Sequence, residues 1–142
     1  VPRYYQTIRA LMERYQLLSE RFVFTGPVPD EDLAVYYRHA AVYISMSEHE
    51  GFCAPLLEAM ATDVPILAYG AAAIPETLGG AGVQFFDKDM EYAAELLGAL
   101  AFDDDLRADV IAGQRRRLAD FSDARIQHEL TSVIHSATGY VS

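Results

Sequence analysis

The stretch Ala41-Val42-Tyr43-Ile44-Ser45-Met46-Ser47-Glu48-His49-Glu50-Gly51-Phe52-Cys53-Ala54-Pro55-Leu56-Leu57-Glu58-Ala59-Met60-Ala61 decides the fold. Its first five residues are an apolar run rich in β-formers, and they read as a strand. Residues 54–61 read as a helix, with Pro55 in the first turn, where a missing N–H costs nothing. A polar turn built on Gly51 joins the two. A strand that runs through a short loop into a helix is half of a βαβ unit, the building block of a parallel sheet.

The pattern repeats on either side. Residues 64–68 and 82–86 read as two more strands, and Pro75 opens a short helix between them. Upstream, Arg21-Phe22-Val23-Phe24-Thr25 reads as a further strand, followed by the turn Gly26-Pro27-Val28-Pro29. Asp30 then caps a helix carrying Leu33, Tyr36 and Tyr37. At the amino end, Tyr4, Ile8, Leu11, Met12, Tyr15 and Leu18 recur at helical spacing. Residues 89–101, 103–118 and 122–136 close the chain as helices. The expected fold is α/β, a Rossmann-like parallel sheet with helices on both faces. A length of 142 residues is that of one domain.

Composition narrows the partners. Hydrophobic residues make up 51 % of the chain, enough for a core. The net charge of −10 argues against a nucleic-acid partner, because phosphate-backbone binding draws on cationic side chains. It leaves room for a phosphorylated small molecule held by backbone N–H groups. The one cysteine, Cys53, precludes an intrachain disulfide and points to a reducing compartment. No apolar run approaches the roughly 20 residues that cross a bilayer as a helix. The chain has no initiator Met and opens in a helical pattern, which reads as a piece of a longer protein.

In an open α/β sheet, ligands bind beyond the carboxyl ends of the strands. Residues 47–53 follow a strand and lie on that rim. The helix from Ala54 offers unpaired N–H groups and a positive dipole end there. Gly51 lets backbone approach a ligand closely. Gly51, Phe52, Cys53 and Ala54 therefore form a candidate phosphate cradle. The alternative is purely structural, with Gly51 making a turn and Pro55 starting a helix. Glu50 precedes the cradle, and Glu58 follows it with seven residues between. A carboxylate at either place can accept hydrogen bonds from hydroxyls. Glu58 can equally be a first-turn acid that answers the helix dipole, and Glu48 reads as a solvated loop acid.

Two carboxylates at this spacing, around Gly51-Phe52, resemble the Glu-x7-Glu signature of family-four-like retaining GT-B glycosyltransferases. The similarity runs from about Arg21 to about Phe86 and covers the carboxyl-terminal, donor-binding domain of such enzymes. The resemblance implies a nucleotide diphosphate sugar as donor substrate, with no cofactor and no metal. It implies that Glu50 contacts the transferred sugar and acts at the reacting centre. It implies that the amides of Gly51 to Ala54 meet sugar and phosphate, that Leu57 packs on the ribose or base, and that Glu58 accepts the ribose hydroxyls. Val28 corresponds to a loop bordering the nucleobase. Cys53 stands where the family often has Gly or Ser, and packing is its expected role. The family's functional histidine belongs to the other domain, so His49 is left out. Pro75-Glu76-Thr77 matches a family pattern of the loop after the third strand, with Pro75 as helix opener and Glu76 as first-turn acid.

The resemblance also implies parts this chain does not show. A complete enzyme has an amino-terminal acceptor domain, and its donor domain begins with two strands and an Arg…Lys pair that grips the pyrophosphate. No residue here is assigned to that pair. The expectation is a cytoplasmic parent, with contact to a membrane left open, and a chain that is inactive alone and self-associates through an incompletely paired sheet. Two other motifs have plainer readings. Asp103-Asp104-Asp105 imitates a metal-binding acidic motif but opens a helix, where acids are expected. Arg115-Arg116-Arg117 reads as a solvated face. The rival functions are a non-catalytic nucleotide-sugar-binding module and a GT-B relative such as a sugar-nucleotide epimerase. A dehydrogenase-like unit is disfavoured, since no Gly-x-Gly-x-x-Gly follows a strand.

Overall fold

The computed structural model describes residues 2–17 and 19–138. The chain divides between Leu33 and Ala34 into two compact units.

The first unit is built on α1 (Pro2–Arg14). Ile8, Leu11 and Met12 give it an apolar side, and Met12 is buried. The helix ends where Gln16 takes a positive φ of 53°. Leu18, expected to extend the helical pattern, lies outside the described residues. A 3-10 turn, Ser19–Arg21, leads into residues 22–29, which hold no regular structure. The ring of Tyr5 meets Phe24 edge-on at 5.2 Å, and the Arg9 guanidinium lies over the same Tyr5 ring. The strand expected over residues 21–25 is not formed. Val23 is 78 % exposed. The cause is the lack of a pairing partner: a strand is stabilised by its ladder and its cross-strand neighbours, and β-propensity alone does not supply them.

The second unit holds the sheet. It begins within α2 (Asp30–His39), whose acidic first turn and basic last turn both complement the helix dipole. The order then is β1 (Tyr43–Ser45), α3 (Ala54–Ala61), β2 (Ile66–Tyr69), α4 (Ile74–Leu78), β3 (Val83–Phe85), α5 (Met90–Phe102), α6 (Asp104–Leu118) and α7 (Asp123–Thr138). The three strands run parallel in the order β1-β2-β3. Tyr43 pairs with Ile66, and Leu67 pairs with Val83. The strands are shorter than the sequence suggests; β2 starts only at Ile66, because Pro65 cannot donate to a ladder. Its carbonyl still accepts from the Tyr43 N–H at 2.9 Å.

Ile66, Leu67 and Ala68 are each fully buried, so helices cover both faces of the central strand. Leu67 and Phe85 pack with Ala93 and Leu100 of α5, and Leu106 and Val110 of α6 lie against them. Ile44, level with Leu67 in the register, is 44 % exposed, so this face is open at β1. Gln114 of α6 is fully buried. Its side chain donates to the Val64 carbonyl at 2.8 Å and accepts from the Ile66 N–H at 2.9 Å. It thereby satisfies the backbone groups around Pro65 that no strand can reach. Asp89 caps α5 by accepting from Glu91 and Tyr92, and Asp103 caps α6 by accepting from Leu106. The acidic triplet thus serves a helix start, as its sequence suggests. Among the described residues, no group of three or more His, Cys, Asp or Glu side chains is placed to hold a metal. No helix among them is long and apolar enough to cross a membrane.

Candidate functional site

The loop after β1 runs along the carboxyl rim of the sheet and enters α3 through Cys53, whose φ of 62° and ψ of 62° are left-handed. This turn aims the loop at the helix start. Pro55 sits in the first turn of α3, as expected. The N–H groups of Gly51, Phe52, Cys53 and Ala54 have no hydrogen-bond partner among the described residues. Gly51, Phe52 and Ala54 are exposed, while Cys53 is buried. Four consecutive donors therefore surround the positive end of a helix.

The two carboxylates flank this row. Glu50 is half-buried and Glu58 exposed, with Leu57 half-buried beside it. Two tyrosines connect them. The Tyr37 hydroxyl donates to the Pro55 carbonyl at 3.4 Å, and the tilted rings of Tyr37 and Tyr43 lie 5.9 Å apart. Burial, followed by the neighbouring Glu58 carboxylate, holds the Tyr37 hydroxyl well above its ordinary ionisation range. Burial pushes Tyr43 up to about 12, with Cys53, Glu50 and Glu58 adding to the shift. The Cys53 thiol is raised by burial and by Glu50, against a small opposing effect of the Leu56 N–H. Each shift is that of a group kept neutral by burial next to acids. The fold thus brings Glu50, Cys53 and Glu58 around one pair of tyrosines.

The loop is held from the other side by α4. The Thr77 hydroxyl donates to the Phe52 carbonyl at 2.7 Å, and the Ala73 N–H donates to the Glu50 carbonyl at 3.4 Å. Phe52 meets Phe121 edge-on at 5.7 Å. Tyr37 and Tyr43 were not picked out as site residues by sequence reading, and Thr77 was noted only within the Pro75-Glu76-Thr77 pattern. The tyrosines look like ordinary core positions, and Thr77 carries no role of its own within that pattern. Glu76 itself is exposed. Val28 is half-buried in the first unit, in the irregular segment before α2. His49 is exposed. The arginine triplet does not form one basic face. Arg115 makes a two-pronged pair with Asp63, and Arg117 turns inward to α4.

A family model described as "Glycosyl transferases group 1" matches residues 3–102, more than half of the chain. The chain belongs to the glycosyl transferases group 1 family. Among its relatives are the O-antigen chain mannosyltransferase B of Escherichia coli and the D-inositol 3-phosphate glycosyltransferase of Corynebacterium jeikeium. The first is 37 % identical over 81 residues, 56 % of this chain and 21 % of that protein. The second is 35 % identical over 104 residues, 68 % of this chain and 25 % of that protein. The serotype-specific mannosyltransferase WbdA of Escherichia coli is 28 % identical over 127 residues, 89 % of this chain and 16 % of that protein. The chain thus spans a quarter or less of these relatives. Within the group 1 glycosyltransferase family match lie the whole three-stranded sheet, the rim loop and both carboxylates.

Proposed function

We propose that this chain forms the donor-binding part of a retaining glycosyltransferase, which moves a sugar from a nucleotide diphosphate sugar to an acceptor hydroxyl. The observation that carries the reading is the row of four unpartnered N–H groups, from Gly51 to Ala54, set between two carboxylates at a helix start. Such a row matches a pyrophosphate, and the flanking acids match the hydroxyls on either side of it. Glu58 accepts from the ribose, with Leu57 against ribose or base. Glu50 accepts from the transferred sugar and stabilises the positive charge that grows at its anomeric carbon.

In this reading the acceptor hydroxyl attacks the anomeric carbon on the face from which the nucleoside diphosphate leaves. The bond to the leaving phosphate oxygen breaks, and that oxygen takes the hydroxyl proton. Configuration is retained. Amides and the helix end hold the pyrophosphate, its charge is neutralised by the family's Arg…Lys pair, to which no residue here is assigned, and the reading includes no metal. The acceptor meets the donor from a facing domain. Mannose is the first sugar to try, because two of the relatives are named as mannosyltransferases.

The test uses Glu50→Ala in the protein that carries this sequence. Turnover of the intact sugar donor should fall far more than affinity for the bare nucleoside diphosphate. Equal losses would assign Glu50 to nucleotide binding or folding and remove it from the reacting centre.

A further inference from the structure

Four residues, Thr77, Arg117, Phe121 and Phe52, form a closed ring behind the rim loop. The Thr77 hydroxyl donates to the Phe52 carbonyl at 2.7 Å. The Thr77 carbonyl in turn accepts from Arg117 Nε at 3.0 Å, and the Glu76 carbonyl accepts from the same guanidinium at 2.8 Å. That guanidinium lies over the Phe121 ring, 4.7 Å from its centre. Phe121 then meets Phe52 edge-on, closing the circuit. Asp120 holds Arg117 by a third contact at 2.9 Å. Thr77 is buried at 3 % exposure. Gly79 is part of the device. A Cβ there would fall 2.6 Å from Arg117 Nε, and the residue caps α4 with a positive φ of 57°.

The ring fixes the direction of a peptide plane. In a planar trans peptide, the C=O of one residue and the N–H of the next point opposite ways. Thr77 takes the Phe52 carbonyl towards α4, so the Cys53 N–H points away from α4. The Ala73 N–H takes the Glu50 carbonyl in the same manner, more weakly at 3.4 Å, and turns the Gly51 N–H outward. Two of the four unpartnered donors are thereby aimed by hydrogen bonds made on their far side. Resting on the donor reading above, we propose that Thr77, braced by Arg117, is a positioning residue that orients the Cys53 amide towards the donor's phosphate.

The test is Thr77→Val, which removes the hydroxyl and keeps the shape, with Thr77→Ser as the conservative partner. Calorimetry on the protein that carries this sequence would use uridine, guanosine and adenosine diphosphates, and the nucleoside of whichever binds best. Thr77→Val should weaken the diphosphate about tenfold, as expected for a phosphate contact losing its aim, while leaving the nucleoside unchanged. Thr77→Ser should restore the diphosphate. Diphosphate affinity equal to that of the unsubstituted protein would overturn the inference and leave the donor reading standing. So would equal losses for nucleoside and diphosphate, which mark a merely structural role. If the unsubstituted protein binds none of the three diphosphates, the donor reading falls and takes this inference with it. Should Thr77→Val not fold, amide NMR of the unsubstituted protein titrated with inorganic pyrophosphate decides the matter. The Gly51 and Cys53 resonances should move most, and their standing still would overturn the proposal.

Discussion

Residues 21–25 and 41–45 are close to the same kind of sequence, yet only the second becomes a strand. Arg21-Phe22-Val23-Phe24-Thr25 and Ala41-Val42-Tyr43-Ile44-Ser45 both join three apolar β-formers to a small polar end. In the second, Tyr43, Ile44 and Ser45 pair with Ile66, Leu67 and Ala68. In the first, Phe22, Val23 and Phe24 lie 45 %, 78 % and 46 % exposed and pair with nothing among the described residues. The lesson is that a strand belongs to a pair. A segment's propensity states only that it would fit a ladder if one were offered.

That comparison predicts unequal costs. The largest effect should come from β2, the partner that makes β1 a strand. Leu67→Ala should cost about 2–5 kcal/mol in a denaturant melt, the range for truncating a fully buried leucine. A cost below about 1 kcal/mol would show that the sheet is not the stable part of the chain. Gln114→Leu should come next. It leaves the Ile66 N–H and the Val64 carbonyl buried without partners, at about 1–3 kcal/mol for such a group. Hydrogen exchange at Ile66 should quicken in the same variant; an unchanged rate would mean that water replaces the side chain.

A pH experiment sharpens the comparison within β1 itself. Tyr43 ionises near 12 in the folded chain, against an ordinary value of 10.0. Its folded value is raised, so its contribution to stability is complete below pH 10 and is lost as pH climbs towards 12. Tyr43→Phe should remove that part of the alkaline slope, and an unaltered slope would place Tyr43 in water. The smallest effect belongs to the unpaired run. Val23→Ala should change stability by no more than about 0.5 kcal/mol, as for an exposed site. A loss of 2 kcal/mol or more, on the order of core truncations, would show that residues 21–25 are covered in solution.

The sequence made the second unit legible because its signals were local. Pro55, the Asp89 and Asp103 caps and the short apolar runs each act within a few residues. The rim loop was legible for the same reason, since a glycine turn, a helix start and two acids lie within one short stretch. What sequence could not show depends on contacts far along the chain. Thr77 reaches Phe52 across 25 positions, and Gln114 reaches Ile66 across 48. Tyr37 and Tyr43 come from different elements, α2 and β1, and their place beside Glu50 and Glu58 follows only from how the chain packs. Arg117 looked like one of three solvated cations, whereas its guanidinium braces α4.

The central claim is that the segment from Glu50 to Glu58 holds a nucleoside diphosphate. It is tested most directly by calorimetry of the protein that carries this sequence, with and without Glu58→Gln. That substitution removes a charged acceptor and keeps its shape. The account predicts that the unsubstituted protein binds a nucleoside diphosphate and that Glu58→Gln weakens it by about 1–3 kcal/mol with the fold intact. Equal affinity in the two proteins would take Glu58 out of the ribose site, and no binding by either would contradict the account.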